Sequence, residues 1–162
     1  MQTGTLYEAH LVVRDLQAAA RFYETVLGFS PALCAPDVRF YWTESDHSRM
    51  FALWQLKPDD NEPRRHTRPD VSVWVRSHIA FHLRLSDFLA AIKRLRQSGV
   101  RVTGFEDNST EPSVHCWVPA VSVYFSDPDG HALELISILD EKPQPKLGVL
   151  SWSKWQKSIT NE

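Results

Sequence analysis

The chain has 162 residues, enough for one domain or two very small ones, and this length requires no disulfide or structural metal for folding. Hydrophobic residues make up 43% and charged residues 23%, as in an ordinary globular protein. The net charge of −2 argues against nucleic acid as a partner, and no apolar run reaches the ~18 residues that span a membrane.

The N-terminus and the cysteines predict a cytoplasmic location. The opening segment MQTGTLYEAH lacks the basic and apolar regions of a signal peptide. Cys34 and Cys116 form neither a disulfide framework nor a CxxC metal site. We expect both to be reduced, buried thiols of a small cytosolic protein.

The first half of the chain reads as a strand, a helix and further strands. The apolar run Tyr7–Val13 predicts a strand and contains His10. Apolar residues at helical spacing predict a helix over Leu16–Leu27, with Asp15 as its N-cap and Gly28 as its C-cap. Two strands are expected after it, at Arg39–Thr43 and Met50–Leu56.

The second half repeats this order after a polar, proline-containing linker at Lys57–Asp70. The run Val75–Phe81 contains His78 and precedes a predicted helix over Phe88–Arg96. Asp87 is the expected N-cap of that helix and Gly99 its C-cap. The expected strands that follow are Val100–Phe105, Trp117–Phe125 and Ala132–Leu139.

The turn sequence Asp127–Gly130 predicts that the last two strands form a hairpin. The organisation is therefore α+β, a βαβββ module repeated, and the two modules must share a core because one alone cannot bury its sheet. We place one domain over residues 1–138 (module one 5–56, linker 57–70, module two 71–138) and a C-terminal tail over 139–162. Leu150, Trp152 and Trp155 of the tail are expected to cover the domain's own surface or a subunit contact.

His10, His78 and Glu134 are the residues most suggestive of chemistry. The two histidines occupy equivalent mid-strand positions in the two modules, and Glu134 interrupts the apolar strand Ala132–Ile136. Two imidazoles and a carboxylate suit Fe, Mn, Zn or Ni as divalent ions. The alternatives are ordinary core or surface histidines and a Glu134 that faces solvent on an edge strand.

The remaining polar and aromatic candidates carry weaker signals. His82 reads as a neutral core residue or as a partner of a metal ligand, and His131 as a solvent-facing turn residue. His47 and His66 lie in polar loops. Trp42, Trp54 and Trp117 fall in expected strands, where they line an aromatic pocket or pack in the core.

These residues lie in segments that resemble the vicinal oxygen chelate superfamily: YEAHLVV around His10, SHIAF around His78, and YFSDPDGHALEL from Tyr124 to Leu135. That superfamily groups glyoxalase I, extradiol dioxygenases, fosfomycin-resistance thiol transferases, epimerases and metal-free bleomycin-binding proteins. The resemblance implies paired βαβββ modules whose curled mixed sheets form a metal pocket, with His10, His78 and Glu134 as metal ligands. It also implies a homodimer.

Departures from the family pattern bear on which reaction is catalysed. The segment Met50–Leu56 lacks the carboxylate that glyoxalase I supplies there. Tyr124 matches a tyrosine near the substrate of the fosfomycin enzymes, but Val12 replaces their threonine. His115 matches a further histidine of the extradiol dioxygenases, and the neighbouring Ser113 departs from their signature.

The resemblance implies a divalent-metal-dependent enzyme that chelates a small substrate through adjacent oxygens: a lyase, an isomerase, a thiol transferase or a ring-cleaving dioxygenase. His115 and Tyr124 are the candidate proton-transfer residues. The alternative is a metal-free protein of the bleomycin-resistance type that sequesters a small molecule. Retention of all three ligand positions favours the enzyme.

Overall fold

The computed structural model describes residues 5–60, 68–106 and 109–160 of the chain. These residues form two compact units, each built around a mixed β-sheet. The first unit extends to Ser77 and includes Asp127–Gly130, and the second contains His78–Ser126 and the chain after Gly130. Two mixed sheets with a few helices confirm the predicted α+β class. None of the helices in the described ranges is long and apolar enough to cross a membrane.

The first unit contains a four-stranded sheet. Its strands lie in the order β1-β4-β3-β2, with β1 parallel to β4 and the other pairs antiparallel. Their bounds are β1 Glu8–Val13, β2 Ser30–Ala35, β3 Val38–Trp42 and β4 Met50–Gln55.

One helical segment follows β1, as predicted, but it changes character along its length. Helix α1 covers Leu16–Arg21, and a π-helical turn continues it through Phe22–Val26. The Asp15 side chain accepts hydrogen bonds from the backbone N–H groups of Gln17 and Ala18, so its role as N-cap is confirmed.

Alternation along β1 separates the core from the opposite face of the sheet. Leu11 and Val13 are buried, whereas His10 between them is half-buried on the other face. The buried residues Tyr41, Phe51 and Leu53 continue the core across the neighbouring strands. His10 therefore stands on a face that the core does not use.

The second unit contains a five-stranded sheet in the order β5-β8-β7-β6-β9. Strand β5 is parallel to β8, and all other pairs are antiparallel. The bounds are β5 His78–His82, β6 Ser113–His115, β7 Ala120–Ser126, β8 Ala132–Ile138 and β9 Val149–Ser151. Helix α2 covers Leu85–Gln97, and its apolar stripe Phe88, Ala91, Ile92 and Leu95 is buried.

The hairpin predicted at the DPDG turn is confirmed. Strands β7 and β8 pair antiparallel on either side of it, and the N–H of Gly130 donates to the carbonyl of Asp127. Gly130 has φ +88°, a conformation that costs a residue with a Cβ but not glycine. The C-caps of the two helical segments are Leu27 and Ser98, one residue before the predicted Gly28 and Gly99, and each glycine takes positive φ just after its cap.

The tail adds regular structure that the sequence patterns did not indicate. A short 3-10 turn at Pro145–Leu147 leads into β9, and helix α3 follows over Trp152–Thr160. Trp155 is buried and its ring stacks on Trp152. The tail therefore covers its own unit, one of the two roles expected for its apolar residues.

Several expected element boundaries are wrong. Val100–Phe105 is not a strand, because only Thr103 forms an isolated bridge, to Tyr124. Asp87 is not the N-cap of α2; Arg84 holds that position, and the Asp87 carboxylate accepts a hydrogen bond from it. Trp117 lies in a turn, because β7 begins only at Ala120. Residues 61–67 of the expected linker lie outside the described residues.

Candidate functional site

Glu134 is buried on an interior strand of the second sheet and paired with a histidine. Its strand β8 lies between β5 and β7, so the alternative of an edge strand facing solvent is wrong. Glu134 is 7% exposed, and its Oε2 lies 3.1 Å from the Nε2 of His78. A buried carboxylate requires such a partner, because its desolvation is costly. The structure thus brings together two of the three predicted metal ligands.

Tyr124 and His115 form a second pair on the neighbouring strands. Tyr124 stands directly opposite Glu134 in the β7–β8 register. His115 ends β6, and its Nε2 lies 2.6 Å from the Tyr124 hydroxyl oxygen. His115 is only 6% exposed. The two predicted proton-transfer residues are therefore hydrogen-bonded to each other beside the carboxylate.

Burial keeps both members of this second pair uncharged. Desolvation and the nearby Glu134 carboxylate raise the pKa of Tyr124 to about 12. Desolvation lowers the pKa of His115, an effect that the negative charge of Glu134 partly opposes. At neutral pH the site therefore holds a protonated phenol and a neutral imidazole.

The hydrogen-bond polarity follows from the charge of Glu134. A carboxylate only accepts, so its field favours a Tyr124 hydroxyl hydrogen directed toward it. The Tyr124 oxygen then accepts from the Nε2–H of His115. The Nδ1 of His115 is buried and has no hydrogen-bond partner among the described residues. This nitrogen is left as a bare acceptor at the end of the chain of hydrogen bonds.

Two exposed aromatic rings shield His115 from water. Phe105 is 58% exposed and Trp117 is 51% exposed. Their ring centroids lie 5.5 Å and 4.7 Å from that of His115, both in edge-to-face geometry. The sequence pattern marks Trp117 as a candidate pocket residue, whereas it places Phe105 in an expected strand and indicates no role at the site.

His10 lies in the first unit, among neighbours on its own sheet. Its Nε2 is hydrogen-bonded to the carboxylate of Glu8, two residues earlier on the same face of β1. The rings of Phe40 and Trp54 each lie 5.9 Å from the His10 ring. Trp54 thus belongs to the aromatic surroundings of His10.

Three expectations about other residues are wrong. His131 is fully buried rather than solvent-facing, and His82 is exposed on β5 rather than a core residue. Cys34 is exposed on β2, while Cys116 is buried as expected. His47 lies in an exposed loop and stacks on Trp42, and His66 lies outside the described residues.

The donor chemistry of the second sheet fits a divalent ion. An imidazole nitrogen and a carboxylate oxygen are ligands that Fe, Mn, Ni and Zn all accept, and they converge here at His78 and Glu134. Within the described ranges, no group of three or more His, Cys, Asp or Glu side chains is arranged to hold a metal. Of the three predicted ligands, His78 and Glu134 are the two that lie within hydrogen-bond distance of each other.

Comparison with known proteins establishes the family. Residues 5–135 match the model of the Glyoxalase/Bleomycin resistance protein/Dioxygenase superfamily. The chain belongs to this superfamily, which confirms the resemblance seen in its motifs.

Individual relatives show what the chain is similar to. A glutathione transferase FosA from Serratia marcescens is 31% identical over 125 residues, which are 77% of this chain and 74% of that protein. An integron cassette protein from the Halifax Harbour sewage outfall metagenome has a TM-score of 0.64 at 28% identity, covering 84% of this chain and 100% of that one. A lactoylglutathione lyase from Agrobacterium tumefaciens has a TM-score of 0.66 at 21% identity, covering 85% and 96%, and shares the fold.

Proposed function

We propose that the protein is a divalent-metal-dependent enzyme that binds a small substrate through two adjacent oxygens. His10, His78 and Glu134 are the proposed metal ligands, and His115 and Tyr124 the proposed catalytic proton-transfer residues. Membership of the superfamily supports this proposal, as does the likeness to a glutathione transferase. The reaction class is that of a lyase, an isomerase, a thiol transferase or a ring-cleaving dioxygenase.

One observation carries the proposal. Two hydrogen-bonded pairs, His78 with Glu134 and His115 with Tyr124, stand side by side on adjacent strands of one sheet. The first pair has the chemistry of metal ligands, and the second has the chemistry of a proton donor and acceptor. A divalent ion bound there would supply Lewis acidity toward the substrate oxygens.

Because His115 and Tyr124 are both uncharged, one can accept a proton and the other can donate one. Because the pKa of Tyr124 is raised to about 12, its hydroxyl keeps its proton and can donate to a developing oxyanion. Because burial lowers the pKa of His115, its imidazole is neutral and can take up a proton at Nδ1, the ring nitrogen that bears no hydrogen. Phe105 and Trp117 keep water from this imidazole.

The remaining expectations extend the same proposal. The absence of a carboxylate from Met50–Leu56 argues against the glyoxalase I reaction. A homodimer, expected from the family resemblance, and a cytoplasmic location, expected from the N-terminal segment and the cysteines, both stay predictions. A small molecule is the proposed partner, in keeping with the superfamily.

Titration of the metal-free protein with Mn²⁺ tests the proposal. We expect one ion per chain, and an affinity lower by about 100-fold or more in Glu134→Ala, since loss of a supporting residue alone typically costs up to about that factor. His82→Ala is the matched control, because His82 is an exposed histidine on the strand of His78. Equal Mn²⁺ affinity in the wild type and Glu134→Ala would contradict the ligand assignment. Absence of binding in the wild type would favour the metal-free binding protein.

A further inference from the structure

The segment Gln144–Trp155 lies beyond residue 135, where the match to the family model ends. It contains the 3-10 turn, β9 and the start of α3. This segment runs antiparallel to the stretch Glu111–Cys116, in which His115 is the second-last residue. The contacts between the two stretches are continuous from one end to the other.

Backbone hydrogen bonds join the two stretches at both ends. The N–H of Cys116 donates to the carbonyl of Gly148 at 2.9 Å, and the N–H of Gln144 donates to the carbonyl of Cys116 at 2.7 Å. At the other end the N–H of Trp152 donates to the carbonyl of Pro112 at 2.8 Å. The residue that follows His115 is therefore held on both of its backbone polar groups.

Strand β9 fills the space between these ends. Its register places Val149 opposite His115 and Leu150 opposite Val114. Strand β6 is only three residues long, and β7 pairs with its other side. Without β9, the strand that bears His115 would be a very short edge strand, and such strands are marginal in water.

Side chains anchor the segment in place. Glu111 accepts hydrogen bonds from the backbone N–H and the hydroxyl of Ser153, which hold the pKa of its carboxyl below the usual range. Trp155 is 6% exposed and buries most of its large apolar surface. The segment is thus fixed by the hydrogen bonds of Ser153 and, two residues later, by the apolar packing of Trp155.

We propose that Gln144–Trp155 is a clamp that positions His115 on Tyr124, so that this tail serves the proton-transfer half of the site and not its metal ligands. The inference rests on the role proposed above for His115. His115 is the residue of β6 next to the doubly bonded Cys116, and its 2.6 Å contact with Tyr124 depends on where β6 lies. The pair His78–Glu134 stands on β5 and β8, which β9 does not touch.

A proline at Leu150 tests the clamp in the full chain. The pattern of bonds on either side places the Leu150 N–H in the ladder toward Val114, and Leu150→Pro removes that donor. Leu150→Ala is the matched control, because it shortens the side chain and keeps the N–H. The measurements are the rate at which diethyl pyrocarbonate modifies His115, located by mass spectrometry, and the nitrogen NMR signals of its ring.

We expect modification of His115 to accelerate about tenfold or more in Leu150→Pro, since loss of the ladder bond favours local opening. The ring signals should lose the signature of the hydrogen bond to Tyr124, while Leu150→Ala keeps both properties. His115 that stays protected and hydrogen-bonded in a folded Leu150→Pro would overturn the clamp. Should this variant fail to fold, Glu111→Ala decides, because it releases Ser153 and is expected to accelerate modification in the same direction.

Mn²⁺ titration of the same variants separates the clamp from the proposed function. We expect the affinity to stay within about twofold of wild type in Leu150→Pro, as for independent sites. If Leu150→Pro lost Mn²⁺ binding and Leu150→Ala retained it, the segment would also position the metal ligands, which would contradict the proposal that it acts on His115 alone. A wild type that binds no Mn²⁺ would overturn the proposed function, whereas the protection of His115 would still test the clamp.

Discussion

At the scale of single residues, the site depends on how burial acts on Tyr124, which ionises to an anion, and on His115, which ionises to a cation. Burial disfavours the charged form of each, so it raises the pKa of Tyr124 and lowers that of His115. The carboxylate of Glu134 favours the protonated form of both, which adds to the effect of burial at Tyr124 and opposes it at His115. Burial is the larger effect at His115, so the pair is held as phenol and imidazole, the forms that can donate and accept a proton near neutral pH.

This state of His115 predicts a pH dependence of folding. Its pKa in the folded protein lies below the value of about 6.5 in the unfolded chain, so below that pH the unfolded state binds more protons. Stability is thus complete above about pH 6.5 and decreases as the pH falls below it. We expect the loss of unfolding free energy between about pH 7.5 and about pH 5.5 to be smaller in His115→Gln, measured by urea denaturation.

The exposed loop histidine His47 provides the control for this measurement. His47→Gln should retain the full pH dependence of the wild type. A pH dependence that is unchanged in His115→Gln would contradict the neutral, buried imidazole.

Sequence patterns located the polar residues of the site better than the aromatic ones. His10, His78 and Glu134 are noticeable in the sequence because a polar group in an apolar strand is costly to bury unless it has a partner. The pattern places Phe105 at the end of a strand that does not form, and it does not indicate that the ring covers His115. Turn chemistry predicts the turn before His131 but not what packs over it, so the expectation that His131 faces solvent is wrong.

At the scale of elements, the local patterns predicted what local chemistry determines. The cap at Asp15, helix α2 and the β7–β8 hairpin each depend on residues close in sequence. Strand β2 begins with Ser30-Pro31, and β9 is three residues long, so neither carries a periodic signal. Their existence depends on pairing with distant strands, which a single sequence does not display.

The hairpin turn is anchored by a buried hydrogen bond within the first unit. The Tyr23 hydroxyl donates to Asp127 Oδ2 at 3.1 Å, and both residues are buried. We expect Tyr23→Phe to lower the unfolding free energy by about 1–2 kcal/mol, because it leaves a carboxylate oxygen without this donor. The same change at the exposed Tyr7 should have no effect in the same denaturation assay. Equal stability of both variants would show that the turn is not anchored through Tyr23.

Two glycines should respond to alanine for different reasons. A Cβ at Gly104 would lie 2.3 Å from the carbonyl oxygen of Glu111, so the loop before Phe105 must shift. A Cβ at Gly130 meets nothing, and only its positive φ opposes the change. We expect a cost of about 1–3 kcal/mol for Gly104→Ala and about 1 kcal/mol for Gly130→Ala, by chemical denaturation. Only Gly104→Ala should also expose His115 to diethyl pyrocarbonate, and a protected His115 there would contradict the shielding by Phe105.

At the scale of the whole molecule, the chain divides its proposed chemistry between two sheets. The first unit carries His10 with its aromatic neighbours, and the second carries the pairs His78–Glu134 and His115–Tyr124. The repeat of the βαβββ order predicted both sheets, because each module shows a strand with an embedded histidine, a helix that ends at glycine, and further strands. The proposed metal ligands are His10 in the first unit and His78 and Glu134 in the second.

Metal content per chain, measured by mass spectrometry of the purified protein and of His78→Ala, is the direct test of the proposed metal dependence. We expect close to one Fe, Mn, Ni or Zn per chain in the wild type and its loss in His78→Ala. Iron would direct the search toward oxygen chemistry, and the other metals toward lyase, isomerase or thiol-transfer reactions. Absence of metal from the wild type, even after reconstitution with each ion, would contradict the account and favour a protein that sequesters a small molecule.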